Sequence, residues 1–271
     1  MKGSFHTFLL LSVLSIMLIA AGGWIGGMQG AIVAFFVSML MNVFSYWFSD
    51  KIVLRRYKAR ELDGSENPRL YRMVEKLAAN AQLPMPRVYI IPDKTPNAFA
   101  TGRNPSHAAV AATEGILALL TDDELEGVMA HELSHVKNRD TLTSTVAATI
   151  VGAITLLGQL GRYSSSSRSR NPMVLIGLLL LPFAAFLMRM AISRVREYAA
   201  DEGGAKISGK PMGLANALNK LGKGVALNPI KGGNPADSHL FIVNPFHGGI
   251  QSLLSTHPPM EKRISKLIDL S

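Results

Sequence analysis

Residues 131–135, His131-Glu132-Leu133-Ser134-His135, read H-E-x-x-H. On a helix this spacing puts two imidazoles one turn apart on one face with a carboxylate beside them, the donor set of a zinc site that carries its own general base. The flanking residues predict that helix. Thr121 and Glu124 form a T-x-x-E capping box, Asp122 and Asp123 suit the positive N-terminal end, and Leu125, Val128, Met129 and Val136 make an apolar stripe. The chain has no cysteine, which excludes disulfides and thiolate ligands and leaves histidine and carboxylate donors.

A catalytic zinc takes three protein ligands and keeps a fourth position for water, so a third donor is required downstream. Glu197 is the leading one, because Asp201 follows it by four residues on the same helical face, where its carboxylate can accept the second N–H of a ligated imidazole. His239, His247 and His257 are the other donors that the ligand chemistry allows. One Zn2+ per chain is expected, although two histidines and a carboxylate also suit other divalent ions.

Three stretches carry a resemblance: His131 to Asp140, Ser193 to Asp201, and Thr256-His257-Pro258-Pro259. With these the chain resembles the HtpX-type membrane zinc metalloproteases, relatives of the CAAX prenyl endopeptidases, over essentially its whole length. The resemblance implies a gluzincin-type protease in which the glutamate of E-x-x-x-D, here Glu197, is the third ligand and Asp201 supports the site from behind. It also implies that Asn97-Ala98-Phe99-Ala100-Thr101-Gly102 is the strand along which substrate lies, and that His257 faces the active site.

Composition places the chain in a membrane: of 271 residues 48% are hydrophobic and 17% charged, where about a quarter charged is usual for soluble domains. Phe8 to Ile25 and Ala31 to Phe48 are spanning-helix candidates joined by a glycine-rich turn from Gly22 to Gly30. Lys2, the apolar run and Ala20-Ala21-Gly22 also fit a cleavable signal peptide, a reading weakened by the second apolar run that follows so soon. Thr145 to Leu160, rich in Thr and Gly, and Met173 to Ile192, which contains Pro182 and Arg189, are expected to form a second hairpin. Lys51, Arg55, Arg56, Lys58 and Arg60 crowd the end of the second run, which puts that end and the polar domain in the cytoplasm. The +9 charge, much of it beside apolar runs, fits anionic lipid rather than nucleic acid, for which no motif is present.

These observations predict an α+β fold, mostly helical, with a small antiparallel sheet beside the zinc helix. Residues 1–55 are the first transmembrane hairpin, 56–143 the first part of the protease domain, 144–192 the second hairpin, and 193–271 the remainder with the third ligand. A helix opens at Asn67-Pro68 with Leu70, Met73, Val74, Leu77 and Ala81 on one face. Strands are predicted at 88–91, 98–101 and 108–113, with Gly102 to Pro105 joining the last two. Pro211 to Leu221 reads as a short helix and Gly222 to Pro235 as a loop. Pro258 to Leu270 reads as an amphipathic helix with Ile264, Leu267 and Ile268 inward.

The expected chemistry is peptide hydrolysis with Glu132 as general base. His257 is a candidate donor to the oxyanion, and Arg194 or Arg196 an alternative, although both arginines also suit the membrane edge as basic anchors. Candidate substrate contacts are Asn97, Ala98, Phe99 and Arg194. The resemblance implies a multi-pass protein of a bacterial-type inner membrane, cutting misfolded or damaged membrane proteins in quality control and stress response. A narrower prenyl-protein-like endopeptidase and a zinc-stabilised scaffold that holds clients without cutting are the competing readings. A scaffold has no need of Glu132, since a structural zinc is normally closed by four protein ligands.

Overall fold

The computed structural model describes residues 2–146, 194–227, 242 and 258–271. Most of the second apolar hairpin, His239, His247, His257 and most of the 222–235 segment lie outside the described residues.

Helix α1 (Lys2–Arg56) is broken at Gly26 (φ −128°, ψ 17°) and Gly27 (φ 60°, ψ −148°). The Gly27 backbone is one that only glycine adopts freely, so the turn expected over 22–30 narrows to these two residues. The arms fold back on each other: a Cβ at Gly30 would collide with the Gly22 carbonyl, and Asn42 Nδ2 donates to Ser15 Oγ at 2.9 Å. The segment Gly26–Arg56 is long and apolar enough to cross a membrane, and Leu11–Trp24 is a shorter apolar helix. Ile32, Phe36, Met39, Leu40, Val43 and Phe44 are exposed on the longer arm. Such a surface needs an apolar surrounding.

Helix α2 (Pro68–Ala81) is capped by Asn67, whose side chain accepts from Leu70 N, and buries Leu70, Val74, Leu77 and Ala81 as its spacing predicts, with Met73 partly buried. The sheet comprises β1 (Arg60–Glu61), β2 (Arg87–Ile91), β3 (Ala98–Thr101) and β4 (Ala109–Thr113) in the order β1-β2-β4-β3. It is mixed rather than antiparallel, which corrects the expectation: β2 and β4 run parallel while β3 and β4 run antiparallel. The physical reason lies in β4, Ala-Val-Ala-Ala-Thr, which is buried on both faces and has no polar alternation. Such a strand takes the centre of a sheet, so β3 is displaced to the edge. Arg60–Glu61, too short for a sequence signal, adds the other edge through Glu61↔Tyr89.

A short helix α3 (Glu114–Leu119) capped by Thr113 leads to α4 (Asp122–Asn138), the helix of the H-E-x-x-H motif. Its capping box is formed, with Thr121 N donating to Glu124 Oε2 at 2.9 Å, and it ends at Arg139 in the left-handed conformation. Leu125, Val128, Met129 and Leu133 are completely buried, so α4 is the central element of the core. Residues 141–146 begin another helix. Helices α5 (Arg194–Ser208), α6 (Pro211–Leu227) and α7 (Met260–Ile268) pack around α4 and one another. Helix α6 continues through Gly222–Leu227, which were expected in the loop. In α7, Leu267 is fully buried but Ile268 is exposed, and Arg263 is as completely buried as Leu267.

Candidate metal centre

The two histidines emerge from one face of α4, with ring centroids 4.8 Å apart and planes at 86°. Glu197, in the first turn of α5, reaches between them: its Oε2 lies 3.9 Å from His131 Nε2 and its Oε1 3.6 Å from His135 Nε2. Their ligand atoms all lie within 4.8 Å of one another. Two bonds of about 2.1 Å meeting at a tetrahedral angle set donors about 3.4 Å apart, and the two Glu197 separations, 3.9 and 3.6 Å, lie close to that value for a single small divalent ion.

The approach of α5 to α4 depends on two adjacent glycines. A Cβ on Gly204 would stand 2.8 Å from His131 N, and one on Gly203 would collide with Ser134 Oγ. Small residues here bring the helix backbones close enough for a glutamate to span the gap.

Each imidazole turns its Nδ1 toward a carboxylate and its Nε2 toward Glu197. His131 Nδ1 lies 3.0 Å from Asp201 Oδ1, off the line of an ideal hydrogen bond, and His135 Nδ1 lies 3.2 Å from Asp140 Oδ2. Carboxylates in this place fix the tautomer that leaves Nε2 as the metal donor. Asp201 is itself gripped by Arg263, Nε to Oδ2 at 2.8 Å and Nη2 to Oδ1 at 2.7 Å, and Arg263 Nη1 comes 3.4 Å from Glu197 Oε2. Burial works against ionised Asp201, yet the Arg263 charge, the close His131 imidazole and the two Arg263 hydrogen bonds hold its carboxyl below the usual range. Burial also works against a charged His135, but the Asp140 hydrogen bond and the carboxylates of Glu197 and Glu132 lift it to about 9.

Glu132 is buried beside the pair, and its Oε2 accepts the Ala100 N–H at 2.9 Å. Burial pushes its carboxyl up, against the opposing charges of His131 and His135. A raised pKa suits a group that must take and return a proton near neutral pH. Strand β3 therefore turns toward the site the edge that has no partner strand among the described residues. Asn97 O accepts from Thr113 N, and the alternation of an antiparallel ladder then turns the backbone of Ala98 and Ala100 away from β4.

The other sequence candidates are placed differently. Asn97 is buried and its Oδ1 accepts from Ile242 N at 3.4 Å. The Phe99 ring packs against Tyr57 at 5.6 Å, with Val53, Leu54 and Ile91 in the same cluster. What this stretch offers the site is backbone. Arg194 is exposed at the start of α5, whereas Arg196 is half-buried, 3.8 Å from Asp140 Oδ1. Asp140 and Arg263 are functional neighbours of the site that the sequence motifs do not single out. A signal for Asp140 existed in its position just past the motif helix; Arg263, on an amphipathic helix, resembled any surface arginine.

Comparison with known proteins agrees with this geometry. The model of peptidase family M48 matches residues 64–271. A "Protease HtpX homolog" of Pyrococcus furiosus is 53% identical, covering 97% of this chain and 94% of that protein. One of Syntrophobacter fumaroxidans is 49% identical, covering 98% and 99%. Among solved structures, the crystal structure of S. mikatae Ste24p superposes with a TM-score of 0.50 at 20% identity, covering 98% of this chain and 62% of that one, a likeness of fold. The chain belongs to peptidase family M48, alongside the HtpX homologues, and is a metalloprotease.

Proposed function

We propose that this protein is a zinc-dependent membrane endopeptidase that cuts unfolded or damaged membrane proteins at the cytoplasmic face of a bacterial-type inner membrane. The observation that carries the reading is the convergence of His131, His135 and Glu197 beside a buried Glu132 that is hydrogen-bonded to an edge strand. His131, His135 and Glu197 would hold the ion. The chemistry zinc supplies when bound is polarisation of the scissile carbonyl and acidification of a water molecule. Glu132 takes the proton as the water oxygen attacks the carbonyl carbon. It then delivers that proton to the amide nitrogen as the C–N bond breaks. The outward backbone of Ala98 and the outward carbonyl of Ala100, whose N–H is held by Glu132, bind an extended peptide by strand addition, a mode that reads backbone and tolerates many sequences.

The exposed apolar surface of Gly26–Arg56 supports membrane insertion, and the cations from Lys51 to Arg60 at its end support a cytoplasmic protease domain. Residues 1–55 then form one transmembrane hairpin and 144–192 the second, between the two halves of the protease domain. Purified full-length protein and Glu132→Gln, each stripped of metal and resupplied with zinc, test the function. Zinc-restored cleavage of an unfolded membrane protein by the wild type alone is expected. Equal zinc binding with no cutting by either sinks the protease reading in favour of a scaffold, and cutting only of a prenylated peptide favours the narrower enzyme.

A further inference from the structure

The second arm of α1 runs past its apolar stretch and packs its last turns on the sheet: Val53 and Leu54 join Tyr89, Ile91, Phe99 and Ala111 in one buried cluster. Just before those turns the arm carries exposed Phe44, Tyr46, Trp47 and Phe48, the residue types of a bilayer interface. Arg103, in the turn after β3, stacks its guanidinium 4.6 Å over the Trp47 ring. The turn is tight, since Gly102 has φ +125° and a Cβ there would collide with the His107 carbonyl. From the other side Thr141 Oγ1 donates to Gly102 O at 3.0 Å, and Thr101 Oγ1 pairs with Thr145 Oγ1 at 2.9 Å, where the second apolar segment begins. Two independent connections thus bring the C-terminal end of β3 to the level at which both apolar segments meet the polar domain.

At that level cations outnumber anions. Lys51 lies one turn from Trp47 with its ammonium 5.6 Å over Phe48, and exposed Arg55 follows one turn later. Among the described residues none of Lys51, Arg55 and Arg103 has a carboxylate within ion-pair distance, and the nearby Asp50 is taken by Arg87 at 3.1 Å. Uncompensated cations interleaved with interfacial aromatics match a lipid phosphate, which a guanidinium binds at two points.

We propose that Trp47, Lys51 and Arg103 form a binding site for an anionic lipid headgroup, which pins the turn after β3 to the bilayer surface and holds the edge strand where membrane-derived chains emerge. This rests on the membrane reading of α1. The full-length chain carrying Trp24→Phe retains Trp47 as its one tryptophan. Reconstituted into phosphatidylcholine–phosphatidylglycerol bilayers with bromine on one lipid species at a time, Trp47 is expected to be quenched more strongly by labelled phosphatidylglycerol. The local enrichment should be about fivefold for each cation engaged. Lys51→Gln with Arg103→Gln should remove the preference.

Equal quenching by the two labels overturns the site while leaving α1 in the membrane; no quenching by either overturns the membrane reading itself. Loss of the preference on adding inorganic phosphate at constant ionic strength overturns it in favour of a soluble anion. For the positioning role, phosphatidylglycerol should lower KM for a membrane-anchored substrate in the wild type and not in the double variant, with kcat unaffected by the lipid. A KM indifferent to lipid in both overturns that role. The quenching is read without turnover, so it stands apart from any failure of the protease assignment.

Discussion

Arg263 and Asp201 form a two-point ion pair, 2.8 and 2.7 Å, sealed from solvent behind His131. The arginine belongs to the C-terminal helix and the aspartate to α5, and the same guanidinium reaches to 3.4 Å from Glu197. One side chain thus restrains the support of one candidate ligand and approaches another. Replacing it leaves Asp201 charged and buried without its partner, a change that costs about 3–5 kcal/mol. Arg263→Lys keeps the charge but loses the fork. A 10- to 100-fold loss of zinc affinity is expected in Arg263→Lys, measured by chelator competition; wild-type affinity in this variant would refute the clamp.

His135 should make zinc binding depend on pH. Lifted to about 9 when the metal is absent, it is protonated at neutral pH, and a ligand must shed that proton to bind. Apparent zinc affinity should therefore rise with pH, by about tenfold per unit, and level off near 9. Asp140→Asn removes the hydrogen bond that does most to raise the value, so the plateau should begin at lower pH while the limiting affinity drops. Competition titrations across pH read both effects.

Gly204→Ala probes the closeness of α4 and α5. The added methyl group would meet His131 N at 2.8 Å, and backbone is not free to move aside as a flexible side chain would be. A destabilisation of about 1–3 kcal/mol is expected, with weaker zinc binding because Glu197 is carried away from the histidines. Thermal unfolding with and without zinc measures each part, and a variant that unfolds and binds like the wild type would show that the helices can separate at no cost to the site.

The motif helix is also held by ion pairs remote from the metal. Glu126 is nearly buried and takes Lys76 at 2.6 Å and Lys210 at 3.0 Å; burial raises its carboxyl, but the two lysines outweigh it and the net shift is downward. With the folded pKa below the ordinary value of about 4.3, the stabilisation is present above that value and is lost as pH falls through the folded one. Both lysines are exposed, so the contribution is about 1 kcal/mol at most. Glu126→Gln should flatten the acid limb of Tm against pH and leave the neutral-to-alkaline region parallel to wild type.

What could be read from the chain alone was local. The capping box at Thr121, the one-turn spacing of His131 and His135, the four-residue step from Glu197 to Asp201, the cap at Asn67 and the apolar run to Phe48 all follow from helix periodicity and length within a few residues. Three features needed the folded chain, because each joins residues distant in sequence whose local patterns are ordinary. Strand order was one: neighbours in sequence suggested antiparallel pairing, but the double-sided burial of β4 placed it between β2 and β3. The second was the hydrogen bond from Ala100 to Glu132, a backbone group that no side-chain pattern advertises. Arg263 was the third. Its place four residues before Leu267 puts it on the inward side of α7, where an arginine is out of keeping, and only the packing of α7 against α5, where two buried carboxylates await a cation, made the interior the lower-energy place for its charge.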